Sequence, residues 1–81
     1  MNTNPEAVET VIAQACMATL RGAGRRGLLE AVVTTAVSRS AGRSANAFIG
    51  KFQVVRALKE LKAAGRIDYS AGRWFCESAH A

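Results

Sequence analysis

Between Gln53 and Cys76 the apolar pattern switches from a helical period to a strand period, and a glycine marks the switch. Val54, Ala57, Leu58, Leu61 and Ala64 recur at spacings of three and four, which at about 100° per residue covers one side of a helix. Gly65 follows as a left-handed stop. Ile67 and Tyr69 then alternate with Arg66, Asp68 and Ser70, and Ala71-Gly72 supplies a turn in which glycine accepts positive φ. A two-residue loop pairs Tyr69 with Trp74 and Ile67 with Cys76, all on one face. A four-residue loop, Ser70 to Arg73, gives the same pairs, whereas a bulged three-residue loop swaps the faces. The unbulged register is expected because it stacks Tyr69 on Trp74 on the apolar side, with both rings in the core. An isolated hairpin is marginal in water, so this one must lean on upstream elements.

A chain of 81 residues makes one domain, 1–81, and a chain this size buries roughly 60% of its unfolded surface. Upstream, Asn4-Pro5-Glu6 reads as a cap, a first-turn proline and an acid at the positive end of the dipole. The stripe Val8, Val11, Ile12, Ala15, Cys16, Met17, Leu20 carries helix 1 over 5–21, with residues 1–4 frayed. Helix 2 is expected over 27–39, with Leu29, Val32, Val33, Ala36 and Ser40 on one side, although Val32, Val33, Thr34, Thr35 and Val37 are β-branched. Ser38 to Ser44 is small and polar and reads as a loop extending to Asn46. Helix 3 is expected over 47–64. Phe48 and Ile49 do not share the face of Val54, Leu58 and Leu61, so either the helix starts near Gly50 or its first turn packs against another neighbour; the two residues would plug the junction between helices 2 and 3. The hairpin spans 66–77, and 78–81 is a tail containing the lone His80.

The charge is concentrated. All eleven Lys and Arg lie between Arg21 and Arg73, with only Glu30, Glu60 and Asp68 as acids, so that span carries eight net positive charges against five for the whole chain. Such clustering attracts polyanions. No signal peptide or membrane span is evident, so a cytoplasmic protein is expected, with Cys16 and Cys76 as reduced, buried thiols. Two Cys and one His without paired spacing make no zinc site, and neither metal nor cofactor is expected. The six acids are scattered, with no nucleophile–base grouping and no phosphate loop, so an enzyme is not expected.

The run Val54-Val-Arg-Ala-Leu-Lys-Glu-Leu-Lys-Ala-Ala-Gly-Arg-Ile67 resembles the winged helix-turn-helix family of DNA-binding proteins in its apolar, basic, Ala-Leu, second Leu, small-Gly-x-Ile order. It covers about a third of the chain, and the rest agrees in the order of elements: three helices, then a C-terminal two-stranded wing. The loop 38–46 is longer than the family's turn before helix 3. The resemblance implies a mainly α fold in which helix 3 enters the major groove and the wing touches the backbone or minor groove. Gln53 and Arg56 would then meet base edges, and Arg39, Arg43, Lys51, Lys59 and Arg73 phosphates, with Lys62 a weaker candidate and Arg73 at the wing tip. The implied function is a small transcriptional regulator on double-stranded DNA, with a homodimer through the near-neutral outer face of helix 1.

A second class of function stays open. Phe52 and Val55 interrupt the basic face and Phe75 lies opposite Trp74. An apolar residue there can meet a thymine methyl, or it can anchor a protein partner. The fold would then serve as an interaction module, a small accessory or inhibitor protein of the kind a phage or other mobile element encodes.

Overall fold

The computed structural model describes residues 5–76, which form three helices and a small three-stranded antiparallel sheet. Helix α1, Pro5–Ala23, is followed by a single 3-10 turn, Gly24–Arg26. Strand β1, Leu28–Leu29, leads into α2, Glu30–Ala45; then come α3, Lys51–Ala63, and strands β2, Ile67–Ser70, and β3, Arg73–Cys76. The strand order is β1-β3-β2. The stripe expected on helix 1 is the one that packs: Ile12, Cys16, Met17 and Leu20 are buried and Val8, Val11 and Ala15 sit at its margin. The Asn4 cap and the tail from Ser78 lie outside the described residues.

Helix 2 differs most from its expected form. Leu28 and Leu29 do not begin it; they pair with β3, Leu28 opposite Trp74 and Leu29 opposite Arg73, so the sheet has a third strand beyond the expected two. Gly27 turns the chain into this strand at φ 67°, ψ −170°, and a Cβ there would lie 2.3 Å from the Trp74 carbonyl oxygen. Only glycine allows both that dihedral and that approach. At its other end α2 runs through the stretch expected as a loop, as far as Ala45. Val33, Val37 and Ala41 recur every fourth residue, all fully buried, and this packing outweighs the weak helix propensity of the Ser and Gly between them. The helix stops at Asn46, which takes a left-handed conformation while the Ala47 N–H donates to the Gly42 carbonyl at 3.1 Å. The buried face is Val33, Thr34, Val37 and Ala41, so of the expected face only Val33 is in the core; Val32 is 47% exposed. Thr34 and Thr35 tolerate the helix because both hydroxyls donate to the Ala31 carbonyl, at 3.1 and 2.9 Å.

Helix α3 starts at Lys51, four residues later than expected. Gly50 is extended, at φ −83° and ψ 160°. Its N–H donates to Gln53 Oε1 at 2.9 Å, and its carbonyl accepts the Gln53 N–H at 3.1 Å. Of the two residues expected to plug the junction, Ile49 does so and Phe48 does not: they are 4% and 91% exposed. Val54, Leu58 and Leu61 face inward as expected, while Ala64 is exposed. The helix ends as the sequence demands. Gly65, at φ 78°, donates to the Lys62 carbonyl and Arg66 to the Leu61 carbonyl, at 2.9 and 3.0 Å.

The hairpin has the expected register, Ile67 opposite Cys76 and Tyr69 opposite Trp74. Ala71 and Gly72 both have positive φ, 54° and 78°, as a two-residue type I′ turn requires. Ile67, Trp74 and Cys76 close the core over α1 and α3. Tyr69 stacks on Trp74, ring centroids 4.7 Å apart at 52°, yet is 43% exposed, so it shields the core's rim instead of filling it. Cys16 and Cys76 are buried and in no disulfide, and burial pushes the Cys16 thiol up to about 12.

Candidate nucleic-acid interface

No acid occurs from Ala31 to Lys59, a stretch that carries Arg39, Arg43, Lys51, Arg56 and Lys59. Every Lys and Arg of the chain is exposed. The stretch comprises nearly all of α2, the connection 46–50 and α3 as far as Lys59, so the fold gathers it around the corner between the two helices.

Helix α3 presents two faces because its apolar residues occupy one side only. With Val54, Leu58 and Leu61 buried, the opposite side carries Phe52, Arg56 and Lys59, all exposed; Val55 is half-buried on its flank. Arg39 and Lys51 come together across the corner, lining one open groove with Thr35, Ser38 and Phe48. Gln53 and Arg56 point elsewhere. They line a groove of about 180 Å³ between α1 and α3, with Glu9 and Glu60 at its rim and Ile12 and Leu61 in its floor. That volume is below the ~300–1,000 Å³ typical of small-molecule sites.

Several of the candidate residues also have local work. Gln53 Oε1 holds the start of α3, so its carboxamide oxygen is engaged before any ligand arrives. Arg56 pairs with Glu60 one turn on, Nε to Oε2 at 3.6 Å; both side chains are well exposed, at 76% and 65%, so the pair contributes only about 0.3–0.5 kcal/mol. Arg43 lies in the last turn of α2 and Lys62 in that of α3, where a cation complements the helix dipole. Arg73 follows the hairpin turn, opposite Ser70 on one side and Leu29 on the other, and lines neither groove.

Phe48, expected to plug the junction between helices 2 and 3, is exposed instead. Its departure from the face of Val54 and Leu58 is visible in the sequence, but a side chain off one core face can be covered by another element. Here none covers it, and the ring stands beside Lys51 and Arg39. Phe52 is 83% exposed and Phe75 half-buried. No family model matches the chain, and no curated protein or solved structure is significantly similar to it.

Proposed function

We propose that this chain is a small cytoplasmic DNA-binding protein of winged helix-turn-helix type, a transcriptional regulator that reads duplex DNA with α3 and the β2–β3 hairpin. The observation that carries this reading is the groove shared by Arg39 and Lys51, which no acid lines, with Arg56 and Lys59 on the outer face of α3. The architecture supports it. A five-residue connection, 46–50, joins α2 to α3, close to the roughly 3–4-residue turn of a helix-turn-helix unit. A type I′ hairpin with Arg73 beside its turn follows α3 where a wing is required. Strand β1 pairs with Trp74 and Arg73, near the turn, so this wing is short and braced.

In this reading Arg39, Lys51, Lys59 and Arg73 neutralise phosphates and Arg56 reaches a base edge after exchanging its weak pair with Glu60. Gln53 contributes chiefly by holding the first turn of α3 in place. One such module buries limited surface, and specific affinity then calls for a homodimer through the outer face of α1. The role is binding, not catalysis.

The test is anisotropy of a labelled random duplex at two salt concentrations. Affinity is expected to fall steeply with salt, and Arg39→Ala and Lys51→Ala each to lower the logarithmic slope by about one. A flat salt response, or no binding at low salt, overturns the reading.

The exposure of Phe52, with Val55 and Phe75 half-buried, favours a second reading: a protein-binding module anchored on these three residues. Lys51→Ala with Arg56→Ala separates the two, abolishing DNA binding in the first and sparing partner binding in the second.

A further inference from the structure

The chain has three phenylalanines, and its core contains none of them; the buried aromatic ring is that of Trp74. Phe48 and Phe52 are 91% and 83% exposed, which forgoes the stabilisation that burial of so large an apolar side chain would bring. They lie on either side of Ile49, Gly50 and Lys51, Phe48 in the middle of the connection and Phe52 in the first turn of α3. The Phe48 ring lies near Gly50, its Cε2 3.7 Å from where a Cβ would be, an ordinary van der Waals distance. Lys51 and Arg39 line the same groove as Phe48, and no acid lies within the surrounding stretch from Ala31 to Lys59.

The surface therefore calls for a partner that combines dense negative charge with flat apolar faces. A protein partner anchored on two phenylalanines favours a charge-depleted surround, and here the surround is cationic. Nucleic acid supplies both features, phosphates and the faces of its bases.

We infer that Phe48 and Phe52 form a stacking wedge, so that the chain prefers DNA containing an unstacked step, such as a bulged base, to the fully paired duplex. The inference rests on the DNA-binding reading and adds a substrate class to it. Arg39 and Lys51 hold the flanking phosphates while a ring stacks on the exposed base face. Inserting a ring into a regular duplex requires unstacking a step, whereas a bulged step is already open.

The test compares two labelled duplexes of one sequence, one fully paired and one with a single bulged base, at two salt concentrations. The wild-type chain is expected to bind the bulged duplex at least about tenfold tighter. Phe48→Ala and Phe52→Ala change exposed side chains, so the thermal midpoint stays put. Each is expected to weaken binding to the bulged duplex at least about fivefold, with the salt slope unchanged, because a ring neutralises no phosphate. Lys51→Ala instead weakens both duplexes alike and lowers the slope. Equal wild-type affinity for the two duplexes overturns the wedge and leaves the DNA-binding reading standing. Unchanged affinity for the bulged duplex in a variant carrying both Phe48→Ala and Phe52→Ala also overturns it. No binding to either duplex at low salt overturns both.

Discussion

The indole Nε1 of Trp74 donates a hydrogen bond to Glu30 Oε1 at 3.1 Å, joining the last strand to the first turn of α2 across 44 residues of sequence. Trp74 is 3% exposed, so its N–H has lost most of its access to water. The Glu30 carboxylate supplies the replacement and also complements the helix N-terminus. Glu30→Ala is expected to destabilise the protein by about 1–3 kcal/mol, because it strands a buried donor. Glu30→Gln keeps an acceptor and is expected to recover most of that loss. Urea unfolding of the two variants is the check, and equal losses would contradict the assignment.

Gly27 and Gly22 form a contrasting pair. A Cβ at Gly27 meets the Trp74 carbonyl oxygen at 2.3 Å, backbone against backbone, on top of a positive φ. Gly27→Ala is expected to destabilise by at least about 2–3 kcal/mol and to lift β1 off β3. At Gly22, within α1, a Cβ meets nothing within 4 Å. Gly22→Ala is expected to stabilise by about 0.5–1 kcal/mol through helix propensity. Thermal midpoints should move in opposite directions.

The hairpin turn has a correctable fault. Ala71 occupies a left-handed position, φ 54°, which Asn adopts more readily than Ala. Ala71→Asn is expected to stabilise by about 0.5–1 kcal/mol with the Tyr69–Trp74 register intact. An amide-exchange measurement would show greater protection across β2 and β3, and lower protection would contradict the type I′ assignment.

Burial raises the Cys16 thiol from 9.0 to about 12, which makes stability depend on alkaline pH. The folded state retains the proton while the unfolded state gives it up. This contribution is therefore complete below the unfolded value and declines as pH rises from 9.0 towards about 12. Its loss is about 1.4 kcal/mol per pH unit at most within that window. Urea midpoints measured across the window should fall for the wild-type chain and fall less for Cys16→Ala. The folded protein should also react slowly with thiol reagents at this position.

The amino-acid sequence by itself determined α1, the inward face of α3, the Gly65 stop and the hairpin register. In each, large apolar residues recur at one clear period and a glycine marks the boundary, so neighbours in the chain carry the information. Less of the candidate site was legible, because nothing in the sequence says that Arg39 and Lys51 share a groove while Gln53 and Arg56 line another. The eleven cations and their asymmetry are visible in the residues, and so is the oddity of Phe48. Only the tertiary structure decided β1, because a strand of two residues has no period and exists through its pairing with Arg73 and Trp74. It also decided that α2 continues to Ala45, since alanine, serine and glycine barely mark a face until Val33, Val37 and Ala41 join the common core. It placed Tyr69 on the rim, and it set Phe48 and Phe52 outward beside Lys51. The physical reason is common to all of these. Burial depends on what arrives from elsewhere in the chain, and local pattern records only which side chains could use it.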